Sequence, residues 1–171
     1  MNSSALSPTE YNSYYQPYIA ALGNSELLTT LKEGLDSFAD FIEALPDEKL
    51  TYSYGTDKWS VAEVLIHLID AERIFQYRSL RFARNDETPI PGFDQDLYVP
   101  NSRANSRSKT AIALEFKAVR ASTIALFESL SKEELERSGI ASNSEMSVRA
   151  LGFIISGHLQ HHKNILKERY L

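Results

Sequence analysis

The chain holds four histidines, and all of them fall in two helix-like stretches. His67 lies in WSVAEVLIHLIDAERIF. His158, His161 and His162 lie in LGFIISGHLQHHKNIL near the C-terminus. His158 and His162 are four residues apart, so on a helix their imidazoles share one face about one turn apart. Neutral imidazole is the commonest metal ligand. Two on one face and a third from a facing helix make a three-nitrogen site with a coordination position left for substrate. Such an ion keeps its +2 charge uncompensated and acidifies a bound water or thiol to near neutrality. Any one of these histidines alone reads as a core or surface residue satisfied by a hydrogen bond. Together, His67, His158 and His162 read as metal ligands, because three buried, unpaired imidazoles are costly unless something uses their lone pairs. Asp70, nearly one turn after His67, is the candidate catalytic residue. It could orient a ligand or take a proton from bound water, and its competing reading is a surface pair with Arg73.

Other chemistries fit less well. With no Cys, disulfides, thiolate ligands and a Cys nucleophile are excluded. A di-iron bundle needs several facing Glu and two Glu-x-x-His motifs. Here Glu63 and His67 are four apart, and no Glu stands beside the C-terminal pair. There is no Gly-rich phosphate loop, and Ser156 belongs to no defensible Ser/His/Asp pattern. Glu72, Arg78 and Arg81 read as a solvated helix face. Tyr11, Tyr14, Tyr15 and Tyr18 read as packing rather than a substrate cage.

Four main helices are expected to position the histidines. The first runs from about Glu26 to Leu45 with apolar residues stepping by 3 or 4, capped by Asn24 or Ser25 and stopped by Pro46. The second opens at Ser60, with Glu63 completing a capping box and Trp59 placed to staple onto Val64; it runs to about Arg84. The third opens at Ser108. Ser131 and Glu134 cap a short extra turn that ends at Gly139. Ser147 caps the last helix, with Met146 repeating the staple onto Leu151, and that helix runs to about Arg169. No segment shows convincing period-2 alternation. Residues 1–22 read as an arm packed on the domain rather than a helix of its own. Residues 85–107 hold three prolines and read as a loop without regular helix.

That loop predicts the topology. The second helix is roughly 36 Å long, and 23 residues reach up to about 76 Å. The loop can therefore cross the bundle and set the second and third helices parallel, giving an all-α four-helix bundle of up-down-down-up order. The second and fourth helices then run antiparallel. His67 is seven residues after Ser60 and His162 is seven before Arg169, so the two come out at one level. His161 is about 100° off His162 and should face elsewhere.

Composition bounds the rest. A chain of 171 residues fits one domain over residues 1–171. A net charge of -5 with no basic run argues against a nucleic-acid partner. No apolar stretch approaches the roughly 20 residues that span a bilayer, and the N-terminus lacks a signal-like pattern. A cytoplasmic home without membrane association is the expectation.

The segment KWSVAEVLIHLIDAERI, the proline-broken loop after it and the terminal GHLQHHKNIL resemble the DinB-like (YfiT-like) superfamily, over about residues 18–171. Those proteins are metal-binding four-helix bundles, mostly bacterial. The resemblance implies His67, His158 and His162 as the metal triad and Asp70 as the acidic position after it. The superfamily includes thiol-dependent S-transferases, a mycothiol-dependent isomerase and metal-dependent hydrolases. It therefore implies one divalent ion, with zinc or nickel expected, and transfer of a low-molecular-weight thiol to an electrophile or a related hydrolysis. A small-molecule substrate and a homodimer are expected, the latter also from the exposed phase of Ile124 and Phe127. The alternative is a non-catalytic metal-binding stress-response protein acting through partner contacts.

Overall fold

The computed structural model describes residues 1–171. Seven helices and one small hairpin follow in the order α1 (Gln16–Ala20), α2 (Leu27–Glu43), α3 (Val61–Ala83), α4 (Gln95–Asn101), α5 (Lys109–Glu128), α6 (Lys132–Glu136), β1 (Ser138–Ala141), β2 (Ser144–Ser147) and α7 (Val148–Arg169). The long helices α2, α3, α5 and α7 form the bundle. Their starts are fixed by side-chain caps. Ser60 and Glu63 make the reciprocal capping box at α3, Ser108 accepts from Ala111 N–H at α5, and Ser147 accepts from Ala150 N–H at α7. At α2 the cap is Glu26, which accepts from Thr29 N–H, so this helix begins one to two residues later than Asn24 or Ser25 predicts.

Cross-helix contacts define the up-down-down-up order. Asn105, just before α5, contacts Ser60 and Glu63 at the start of α3, and Gln76 donates to Ser122, so α3 and α5 run parallel. Tyr170 donates to the Trp59 carbonyl at 2.9 Å, placing the end of α7 beside the start of α3 and making those helices antiparallel. Lys109 donates to the Leu45 carbonyl and Lys32 pairs with Glu128, so α2 and α5 are antiparallel as well. The 85–107 connection does cross the bundle, as its length predicts.

That crossover is more ordered than its prolines suggest. Asp94 accepts from Asp96 N–H and caps α4, whose Pro100 sits near its end. Ile90 bonds through its backbone to Ile140 and Ser142 and docks the crossover on the hairpin. The hairpin itself is absent from the periodicity. Its turn residues, Ser142 and Asn143, take φ of 51° and 59°, as a tight two-residue turn requires. The N-terminal arm packs on the domain, but it carries 3₁₀ turns and the short helix α1, against the expectation of no helix of its own. It is tied down where Glu10 accepts from both Arg149 and Ser147.

The apolar core comes in two halves. One gathers Phe38, Leu65, Ile69, Phe116 and Leu159; the other gathers Leu27, Phe75, Phe127, Leu151 and Ile154. A polar layer falls between them on three of the four long helices: Glu72 on α3, Arg120 and Thr123 on α5, Ser156 and His158 on α7, all buried. Ile124 and Phe127 belong to the second half of the core and are not exposed as their helical phase suggested. For Phe127 the reason is Gly152 of α7: without a Cβ it admits the Phe127 ring and Leu27 to van der Waals contact. Glu72 and Arg78 are likewise buried rather than solvated.

Candidate metal centre

His67 sits in the second turn of α3, and His158 and His162 sit one turn apart on α7. The ring centroids are 5.0 Å apart for His67 and His158, 5.1 Å for His67 and His162, and 4.6 Å for His158 and His162. One nitrogen from each ring lies within 4.8 Å of the others. The antiparallel α3–α7 packing that brings Tyr170 to Trp59 sets this level. His161 is outside the cluster; its ring packs on Tyr18 at 4.9 Å.

Burial determines the protonation of the triad. It pushes the pKa of His67 down to about 4 and that of His162 to about 3. His158 is also held well below its ordinary value, first by burial and then by the neighbouring imidazoles. All three rings are therefore neutral at pH 7, the state a metal needs. The cluster's one hydrogen bond is internal, His67 Nε2 to His158 Nε2 at 3.1 Å. Two nitrogens bound tetrahedrally at about 2.05 Å stand about 3.3 Å apart, so the pair is already spaced for a shared ion. The donor set of three imidazoles suits zinc, nickel, copper or iron over magnesium or calcium, which prefer oxygen.

Tyr18 braces the site from the N-terminal arm, its ring 5.6 Å from that of His158. Gly157 permits this, since a Cβ there would collide with the Tyr18 backbone carbonyl. The triad opens on two clefts. The larger, about 500 Å³, has His67 and His158 in its wall, with Tyr14, Tyr15, Tyr18 and Phe75 as an aromatic side and Arg78 and Ser142 as a polar side. The smaller, about 250 Å³, reaches His162 past Trp59 and Tyr54. Asp96 of α4 lines both, so the crossover stands over the triad.

Asp70 is not brought to the histidines. Its carboxylate pairs with Arg73 at 3.6 Å, beside Glu115 and Arg107, and it lines neither cleft. Burial raises its pKa against the pull of Arg73. The helical offset of three residues turns it toward α5, so the surface-pair reading describes it. The cleft instead recruits Arg78, Asp94, Asp96 and three of the arm's tyrosines. Only the arm's aromatic density hinted at this in the sequence; the acidic pair belongs to a crossover whose path the sequence leaves open.

Residues 30–166 match the model of the DinB superfamily, and the chain belongs to that superfamily. A relative from Oceanobacillus iheyensis, OB0413, is 25% identical over 139 residues, covering 80% of this chain and 79% of its own. Among solved structures, YfiT from Bacillus subtilis, described with "an unusual four-helix bundle topology", superposes with a TM-score of 0.71 at 18% identity, over 95% of this chain and 92% of its own. A mycothiol-dependent maleylpyruvate isomerase superposes with a TM-score of 0.66 at 10% identity, over 80% of this chain and 57% of its own. These likenesses establish the fold. No helix of the chain is long and apolar enough to cross a membrane.

Proposed function

We propose that the chain is a metal-dependent enzyme in which His67, His158 and His162 hold one divalent ion, zinc or nickel, and in which a small nucleophile attacks an electrophile bound in the larger cleft. The observation that carries this is the convergence of three neutral imidazoles, two of them, His67 and His158, in the wall of the larger cleft. A buried triad sealed by apolar side chains would favour a binding or structural metal instead. The relatives support the reading: OB0413 is named "Putative metal-dependent hydrolase", YfiT is described as "a probable metal-dependent hydrolase", and the isomerase is mycothiol-dependent.

When bound, the ion supplies a Lewis acid that brings a thiol or water into its deprotonated form near pH 7. The protein supplies position and environment. The three imidazoles are neutral before binding, so none must lose a proton. Tyr18 and Phe75 pack against His158 and exclude water from that side. Tyr14 and Tyr15 continue the aromatic wall for an apolar electrophile. Asp96 stands at the mouth of both clefts and is the carboxylate placed to take up a released proton. Because the chain has no Cys, a thiol nucleophile comes from a low-molecular-weight cosubstrate. Thiol transfer and hydrolysis then differ only in which nucleophile, thiol or water, enters the cleft beside the triad.

The test is a comparison of metal-loaded protein, metal-free protein and His158→Ala with a haloarene and a panel of small thiols, and with aryl esters in water. Turnover by the loaded protein alone supports the proposal. Equal rates for all three across both panels would remove it in favour of a non-catalytic metal-binding protein. A homodimer belongs to the proposal through the superfamily resemblance, and a cytoplasmic home through the composition; light scattering that gives the mass of one chain, 19.3 kDa, would remove the dimer.

A further inference from the structure

Two arginines of this chain are fully buried, and they are treated differently. Arg120 is 0% exposed and gives Nε and Nη2 to the two carboxylate oxygens of Glu72 at 2.7 and 2.8 Å. Arg78 is 1% exposed and has no carboxylate partner. Its Nη2 donates to Ser142 Oγ at 2.9 Å and to the Pro91 carbonyl at 3.4 Å, and its Nε finds no acceptor. Tyr15 is the titratable group that acts on it. The Tyr15 phenol, pushed up further by burial, is neutral at pH 7, and the Phe75 ring 5.7 Å from the guanidinium carries no charge, so Arg78 has no anionic partner. A buried charge without a counterion is costly, and guanidinium is the side chain whose fork fits a carboxylate at two points.

Arg78 is also aligned with the triad. His67, Ala71, Phe75 and Arg78 follow one another on α3 at spacings of four, four and three, and all four line the larger cleft. They form one stripe along the helix, with the metal ligand at one end and Arg78 at the other. Eleven residues of rise separate the two backbones by about 16 Å. The acidic residues of the same cleft, Asp94 and Asp96, are exposed on the crossover at its rim. The buried wall is thus positive at one end and apolar along its length.

We propose that Arg78 is the specificity residue of this cleft and binds the carboxylate of an elongated small molecule whose far end reaches the histidines. The inference rests on the reading of the cleft as the reaction site and adds the chemical class of its occupant. The carboxylate belongs to the electrophile or to the thiol, and the test separates these.

The test uses metal-free protein, so that a carboxylate cannot bind an ion instead. Calorimetry compares 5-phenylpentanoate with 5-phenylpentanamide as electrophile-like probes, and 6-mercaptohexanoate with 6-mercaptohexanamide as thiol-like probes. The Arg78 Nε–Hε resonance, assigned by its loss in Arg78→Lys, is followed by NMR in the same titrations. The expected result is at least tenfold tighter binding of one carboxylate than of its amide, with a shift of the Arg78 resonance and loss of the preference in Arg78→Gln. The pair that shows it identifies the source. No carboxylate preference in either pair, a preference without movement of the Arg78 resonance, or one that survives Arg78→Gln would overturn the inference. If Arg78→Gln does not fold, the wild-type resonance still decides. A preserved carboxylate preference in a protein that never binds metal would overturn the proposed function and leave this inference standing.

Discussion

Glu72 and Arg120 form a two-point ion pair in the middle of the bundle, between the two apolar halves of the core. Arg120 Nη1 also donates to the Leu31 carbonyl at 3.2 Å. A Cβ on Gly34 would run into the same guanidinium. The pair therefore joins α2, α3 and α5 at one level, five residues along α3 from His67.

Breaking this pair leaves one buried charge alone. Glu72→Met or Arg120→Leu should each lower stability by about 3–5 kcal/mol, whereas the double replacement Glu72→Met with Arg120→Leu should recover most of the loss. Urea unfolding of the three variants gives the comparison. Additive losses in the double variant would show that the pair is not the interaction being removed.

Acid should weaken the metal-free protein before any ordinary carboxylate titrates. His67 and His162 have folded values of about 4 and about 3, and His158 is shifted the same way, against an unfolded value of about 6.5. Between pH 6.5 and about 4.5 the unfolded chain binds protons that the folded chain refuses, so stability rises with pH in that window. It is full above pH 6.5 and falls as the pH drops, by up to about 1.4 kcal/mol per pH unit for each imidazole. Urea midpoints measured at pH 7.5, 6.5, 5.5 and 4.5 test the slope. A flat response would mean that the rings are solvated or charged in the folded state.

Gly157→Ala places a methyl against the Tyr18 carbonyl. Overpacking of this kind costs about 1–3 kcal/mol, and here the segment that yields is the arm carrying Tyr15 and Tyr18. Lower thermal stability should be accompanied by a faster loss of metal to a chelator, since Tyr18 no longer covers His158. Unchanged chelator kinetics would separate the arm from the metal centre.

The fold was legible where local rules and global order agreed. Ser60, Ser108 and Ser147 announce their helices by side-chain capping, and the length of residues 85–107 announces the crossover. The level of His67 and His162, counted from helix ends, puts the imidazoles together. What escaped depended on tertiary partners. Nothing near Glu72 in the chain points to Arg120, 48 residues away, so both buried charges resemble surface ones. The hairpin strands are four residues long, and their Ser142–Asn143 turn lacks the glycine that marks such turns. Asp70 shows the limit of spacing arguments: three residues from His67 is close along the helix, yet Glu115 of α5 and Arg107 just before that helix stand on that side and make it part of a surface ion network. Asp70→Asn should accordingly leave both metal content and turnover unchanged, as elemental analysis and initial rates would record.

Metal stoichiometry is the most direct measure of the central claim. Purified protein and single alanine variants of its four histidines, each dialysed against zinc or nickel and then metal-free buffer, are compared by elemental analysis with folding checked by circular dichroism. The account predicts one ion per chain in wild type and His161→Ala, and loss of stoichiometric metal in His67→Ala, His158→Ala and His162→Ala. Retention of a full equivalent in any folded variant of the triad, or its loss in His161→Ala, would contradict it.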